Sequence, residues 1–463
     1  LKVIMILLLE KENKEEGSVF DHEFIKNKTA DFKTFIEDLN QYSIEDLVPQ
    51  TGISLEKIKE AAELIANTKK IIICWAMGLT QHKNAVDNIR EIVNLLLLKG
   101  SIGKKGAGTC PVRGHSNVQG DRTMGIWEKP KDAFLDKLEE VFHFKAPRNH
   151  GYDVVDAIEA MHQKKAKVFI GMGGNFISAT PDTEFTAEAL QNCDLTVQIS
   201  TKLNRSHLIH GKRALILPCL GRSEVDVQET GEQFVSVENS MGVVHQSHGH
   251  LIPLSEYLKS EAAIVSGVAN ATLKNSKTQW LGLIEDYDSI RNKIEETIPG
   301  FENYNTRVRI KGGFYLPNNA RDNDFSPTDT GKANFSINKP SEIKLEKKQF
   351  LMMTIRSHDQ YNTTIYGLDD RYRGILNERR VLLMNKWDMK EMNLKKLDVV
   401  DLMSHFKGET RSAYKFLVIP YDIPKQCTAT YFPETNVLVP LHNKADISNT
   451  PASKTITITI HKV

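Results

Sequence analysis

The densest run of chemically capable side chains is CPVRGHSNVQGDR at residues 110–122, with Arg113, His115, Ser116, Asn117, Gln119, Asp121 and Arg122 in close succession. An arginine there can hold an anionic substrate through its planar fork. A histidine two positions on can carry a proton near neutral pH. A solvated polar loop is the plain alternative. GMGGNF at 171–176 pairs Gly173 with Gly174, so that backbone N–H groups can approach an anion closely. It departs from the GxGxxG fingerprint and equally fits an ordinary tight turn. TKLNRSHL at 201–208 offers Thr201, Lys202, Asn204 and Arg205 where a ribose or phosphate can sit. TIRSHDQYNTT at 354–364 crowds hydroxyls, amides, Arg356 and His358 together, and NVLVPLHNKADISNTPASK ends in Lys454. HQSHGH carries His245, His248 and His250 at a spacing that suits no helical pair, and no carboxylate or thiol completes a ligand set nearby. It reads as a polar loop, and no metal ligand is assigned.

These runs need elements to position them. Residues 1–66 read as helical, with Ser54 as an N-cap and Ile58, Ala61, Ala62 and Ile65 in one stripe. IIICW at 71–75 reads as a buried parallel strand. A helix follows with Val86, Ile89, Val93, Leu96 and Leu97 on one face, ended by Gly100 at C′. Residues 100–125 hold seven glycines and no periodicity, and so read as a functional loop. From 152 to 217 helix, strand KVFIG, helix, strand LTVQIS and strand ALILP make a Rossmann-like unit, whose ligands belong at the carboxyl ends of its strands. Residues 255–345 mix helix with a Pro/Asn/Asp-rich linker, LPNNARDNDFSPTDTG. Beyond 349 the short apolar runs FLMMTI, RVLLM, DVVDLM, YKFLVI, NVLVP and TITITI point to a barrel.

The 463 residues suffice for about three domains, and 40% are hydrophobic, giving material for more than one core. Lys and Arg (60) nearly balance Asp and Glu (59), for a net charge of +1, which argues against a phosphate-facing nucleic-acid binder. The mean hydropathy is −0.36. The opening LKVIMILLLEKE is too short an apolar run to span a bilayer. It reads as the tail of a helix that begins upstream in a truncated chain. Cys74, Cys110, Cys193, Cys219 and Cys427 are far apart and include no CxxC pair, which fits reduced thiols in a cytoplasmic protein.

Taken in order, WAMGLTQH, LLLLKGSIGKKGAGTCPVRGHSNVQGDRTMG, GMGGNF, TGKANF, TIRSHDQYNTTIYGLDDRYRG and NTPASK resemble the molybdopterin oxidoreductase superfamily. The branch they are most similar to is formate dehydrogenase alpha-subunit-like, often termed YdeP-like. The resemblance runs the length of the chain. It implies a bis-(molybdopterin guanine dinucleotide) molybdenum cofactor and a last domain of double-psi barrel type. Met77 and Gln81 then match cofactor contacts, with Gly173, Gly174 and Asn175 in the glycine turn. Ser200 and Thr201 match guanosine positions, and Arg222 a pterin contact. Thr354, Arg356, His358 and Thr363 match the dithiolene and pyrophosphate loop, and Asn436 and Lys454 the late pterin contacts. Arg113 matches the arginine that orients substrate beside the metal. His115 stands where formate dehydrogenases carry Gln, which sets formate apart as substrate. The family's 4Fe-4S cysteines and its metal ligand would lie upstream.

The resulting fold class is α/β: Rossmann-like parallel sheets followed by a C-terminal barrel. Residues 1–66 would close an upstream α/β domain, 67–270 bind the dinucleotide, 271–345 connect, and 346–463 form the barrel. The function the resemblance implies is that of a two-electron molybdenum oxidoreductase acting on a small molecule, with a redox partner protein expected and Arg113 and His115 as the expected catalytic residues. A nicotinamide-dependent dehydrogenase built on residues 152–217 and a non-catalytic cofactor-binding remnant stand as the alternatives.

Overall fold

The computed structural model describes residues 1–463. Two compact units emerge, and the chain passes between them several times. One unit comprises residues 1–111, 179–183 and 318–463; the other comprises 112–178 and 184–317.

The first unit opens with helices Lys2–Lys14, His22–Lys28, Phe32–Leu39, Ile44–Thr51 and Leu55–Ala66. Asp21, Ser43 and Ser54 cap three of them by accepting backbone N–H groups. Helix Ala85–Leu98 runs through their core, where Leu95, Leu96, Leu97 and Leu98 are fully buried beside Met5, Leu8, Phe35 and Leu39. Phe335 stacks on Phe35 with ring centroids 4.9 Å apart, tying the later part of the chain to this core. Gly100 ends the helix at φ +53°, and a Cβ there would meet the Asp21 carboxylate at 2.3 Å, so the C′ position admits glycine alone.

The run at 71–75 is a parallel strand, Ile72–Trp75, but not a buried one. It pairs only with Gly108–Pro111, and while Ile73 and Trp75 pack on the helical core, Ile72 is 55% exposed. Its second apolar face is therefore uncovered in this unit. Nor is 100–125 a structureless loop. It holds that partner strand and the helix Val118–Thr123, entered through Asn117 at φ +67°. Glycines at its turns mask both short elements in the periodicity.

The barrel closes with strands Phe350–Ile355, Val381–Met384, Val399–Phe406, Glu409–Pro420, Cys427–Tyr431 and Ile456–Lys462. Strand Phe350–Ile355 lies beside Cys427–Tyr431 in parallel and Ile456–Lys462 in antiparallel. Met352, Leu382, Met384, Val400, Leu402, Phe416 and Ile458 fill the interior. NVLVP, expected as a strand, is instead the 3₁₀ turn Asn436–Leu438; it is apolar because Leu438 and Val439 plug the barrel core. The strand in its place is CTATY, whose polar alternation hid it.

The second unit centres on three parallel strands, Val168–Met172, Leu195–Ser200 and Arg213–Pro218, in that order. Helices Val154–His162 and Thr183–Gln191 connect along the chain as a Rossmann-like unit requires, the first capped by Asp153. An antiparallel sheet of Val235–Glu238, Val243–Ser247 and Phe314–Tyr315 packs Val244 and Phe314 with Phe301 and Tyr304. No helix of the chain is long and apolar enough to cross a membrane.

Candidate functional site

In the second unit, strand Val168–Met172 delivers its chain into Gly173 and Gly174, both left-handed (φ +67° and +73°) with open space where a Cβ would stand. The Gly173 N–H donates to the Ile199 carbonyl at 2.7 Å. The Asn204 amide donates to the Gly174 carbonyl at 2.7 Å, and Ser206 Oγ donates to Asn175 Oδ1 at 3.0 Å while accepting the Ile177 N–H. The loops after neighbouring strands are thereby bonded into one edge, as parallel pairing of those strands demands. Asn175 faces inward as a fastener of that edge. Ser200 Oγ and His207 Nε2, both buried, have no hydrogen-bond partner in the protein, while Thr201 beside them is exposed.

The arginine and histidine of the 110–122 run sit in the same unit, and both are exposed. Arg113 donates to Gln119 Oε1 at 3.0 Å, which holds the guanidinium against its own loop. Asn117 Oδ1 accepts the Glu238 N–H at 3.0 Å, and Thr123 Oγ1 donates to the Glu238 carboxylate at 2.6 Å. Glu238 thus brackets the short helix Val118–Thr123 at both ends. Burial raises its carboxyl above the usual range, and Arg113 partly offsets this. Arg222 donates to Ser116 Oγ at 3.3 Å and Ser247 Oγ at 2.6 Å, joining the loop to the antiparallel sheet. Asn117 and Arg222 line a cavity of about 240 Å³ with Ser236, Ser247, His248 and Tyr287. A second, apolar cavity of about 430 Å³, lined by Phe134, Leu138, Val265 and Trp280, includes none of the candidate residues.

In the first unit, Met77 and Gln81 flank one short helical turn after Ile72–Trp75. The Gln81 carbonyl accepts the Lys454 N–H at 3.0 Å, and His82 Nδ1 lies 2.9 Å from Thr455 Oγ1. Lys454 reaches back to the carbonyl of buried Thr354 and, at 3.4 Å, to its hydroxyl. Burial, with some repulsion from Arg356, lowers Lys454 to about 8; burial likewise lowers His82, with Lys454 adding to it. A poorly solvated ammonium beside a guanidinium favours an anion near both. His358 packs edge-on against Tyr372, with centroids 4.1 Å apart, and lies 3.3 Å from Arg371. Thr363 turns the hairpin of Gln360–Tyr361 and Thr364–Ile365. Asn436 is buried and donates to the Thr180 carbonyl at 3.2 Å.

The structure therefore brings Met77, Gln81, Thr354 and Lys454 together in one unit. It brings Gly173, Gly174, Asn175 and Ser200 together in the other, with Arg113 and Arg222 on a further loop system there. Sequence reasoning missed His82, Ser206 and Glu238. Only His82, next to Gln81 in WAMGLTQH, carried a visible signal. No group of three His, Cys, Asp or Glu residues that could hold a metal ion occurs in the chain.

The molybdopterin oxidoreductase family profile matches residues 12–208. An uncharacterized oxidoreductase of Mycobacterium tuberculosis is 48% identical over 98% of this chain and 59% of its own length. The protein YdeP of Escherichia coli K12 is 43% identical over 99% of this chain and 62% of its own. This chain thus spans about three-fifths of the curated relatives it matches. The F420-dependent formate dehydrogenase subunit alpha of Methanocaldococcus jannaschii is 32% identical over 42% of the chain and 29% of its own length. Among solved structures, acetylene hydratase from Pelobacter acetylenicus shares the fold, with a TM-score of 0.63 at 16% identity, covering all of this chain and 70% of that one. Residues 12–208 thus carry a molybdopterin oxidoreductase domain, and nearly the whole chain is similar to the uncharacterized oxidoreductase and to YdeP.

Proposed function

We propose that this chain contributes the greater part of a bis-(molybdopterin guanine dinucleotide) site in an oxidoreductase that moves two electrons to or from a small substrate. The observation that carries the reading is the pair Gly173 and Gly174, left-handed, with nothing above them and with the unpartnered Ser200 hydroxyl at the end of the adjacent strand. Such a cradle suits a pyrophosphate and a nucleoside, which offer acceptors to free N–H and O–H donors. Bound there, the cofactor would supply a metal able to take up or release an electron pair.

The chain's own residues supply the rest. The Lys454 ammonium and Arg356 attract the anionic groups of the ligand in their unit. Arg113, steadied by Gln119, orients an anionic or polar substrate. His115, exposed on the same loop, holds or releases the proton that accompanies electron transfer. The relation to formate dehydrogenases favours a small oxyanion substrate, with His115 separating it from formate itself. In this proposal the metal ligand, a 4Fe-4S cluster and the contact with a cytoplasmic redox partner belong to the part of the longer relatives that this chain does not span.

Elemental analysis of the full-length protein, with fluorescence of the oxidised pterin, tests the reading. Molybdenum or tungsten near one per chain, with about two pterin guanine dinucleotides, supports it. Protein from a cofactor-making host that holds neither overturns it, and bound NAD in that preparation would favour a nicotinamide enzyme.

A further inference from the structure

Cys74 and Cys110, distant in sequence, occupy directly paired positions of the parallel strands Ile72–Trp75 and Gly108–Pro111. Side chains at paired positions leave a sheet on the same face, and the strands run about 4.8 Å apart. That spacing lies inside the roughly 4.4–6.8 Å separation of Cα atoms that a disulfide bridges. The Cys74 thiol lies near enough to act on the ionisation of Cys110. Cys74 is exposed and Cys110 half-buried, whereas Cys193 and Cys219 are buried. The uncovered face of this two-stranded sheet is what lets a small oxidant reach the pair.

We propose that Cys74 and Cys110 form a reversible thiol–disulfide site whose oxidant is hydrogen peroxide. Exposure makes Cys74 the attacking sulfur. Its thiolate takes one peroxide oxygen, the O–O bond breaks, and the first water departs, leaving a sulfenic acid. Cys110 Sγ then attacks the Cys74 sulfur; the S–O bond breaks, the S–S bond forms, and a second water departs. The two thiols lose two protons and two electrons, and peroxide takes up both, so two waters balance the step. Burial, reinforced by the neighbouring Cys74 thiol, raises the Cys110 thiol, which leaves Cys74 as the first of the two to react. The bond would join the strands that lead directly into the Met77 and Arg113 segments, so their entry points would be pinned to one another.

The test uses the full chain, exposed to a modest excess of peroxide and then alkylated and digested. The expected result is a linked peptide pair carrying Cys74 and Cys110, two hydrogens lighter than the free peptides and separated again by dithiothreitol. In Cys110→Ser, oxidation should stop at a Cys74 sulfenic acid that a dione trap captures. Phenylarsine oxide, which needs two neighbouring thiols, should protect both cysteines from alkylation in the unmodified protein. Independent alkylation of Cys74 and Cys110 after peroxide, or linkage of either to another cysteine, overturns the proposal. The outcome is independent of whether the chain binds molybdenum.

Discussion

Asp182 and Arg411, far apart in sequence, form a largely buried ion pair, with Arg411 Nη2 2.7 Å from Asp182 Oδ2. The Leu441 N–H also points at Asp182 Oδ2, at 3.3 Å. Asp182 sits at φ +50° in the short segment 179–183 that joins the barrel-containing unit. Arg411→Met strands a buried carboxylate, and removing one partner of such a pair costs about 3–5 kcal/mol. Urea denaturation should show that loss for Arg411→Met and a smaller one for Arg411→Met combined with Asp182→Asn. Equal losses in both proteins would show that the two residues act separately.

Lys454 sets an alkaline dependence. Its folded value of about 8 lies below the roughly 10.4 of an unfolded lysine. Between those limits the unfolded chain binds more protons, so stability rises with pH across that window. Lys454→Met should flatten the rise and leave the chain at least as stable at neutral pH. Denaturation midpoints followed across the window measure it, and an unchanged slope in the variant would assign the effect elsewhere.

Substituting the glycine cradle separates strain from ligand binding. Gly173→Ala meets no atom within 4 Å, so its folding cost is the left-handed backbone alone, about 1–2 kcal/mol. Binding of GDP, a probe for the guanine dinucleotide end, should fall at least roughly tenfold in the folded variant, as donors are screened from the pyrophosphate. Calorimetric titration at a temperature where both proteins are folded measures the difference. Equal affinities would remove the phosphate from this turn.

Arg113 is exposed and bonded only within its own loop, at Gln119, so Arg113→Ala should leave folding almost unchanged. In the cofactor-loaded full-length enzyme kcat/KM for an anionic substrate should drop roughly 10–150-fold, the worth of a charge-assisted hydrogen bond of about 1.5–3 kcal/mol. Arg113→Lys should recover only part of it, because an ammonium cannot make the forked contact. Unchanged turnover in Arg113→Ala would end its substrate role.

Legibility in the sequence followed how local each cause is. Strand Leu195–Ser200 and the cap at Ser54 are set by residues within one turn, and they read correctly. Gly108–Pro111 did not, because two residues of that strand are glycine and proline and its existence depends on pairing with Ile72–Trp75. IIICW read as buried because all five residues are apolar, although only alternate ones pack. NVLVP and CTATY exchanged roles for the same reason: hydrophobicity records burial, not backbone state. The glycine turn of the candidate site was visible from Gly173 and Gly174, whereas Glu238 was not, since its partners Asn117 and Thr123 come from a distant stretch. The meeting of Cys74 with Cys110 was equally out of reach, being a matter of register.

The path of the chain fixes an order of events during synthesis. Ile456–Lys462 pairs with both Phe350–Ile355 and Val399–Phe406, so the barrel cannot shut until those residues have left the ribosome. The core around Leu95–Leu98 waits in the same way for Phe335. Meanwhile residues 112–178 and 184–317 have all been made and are free to condense around their own sheet. Until Phe335 emerges, the nascent chain therefore carries that helical cluster with an open flank, a stretch that invites a chaperone.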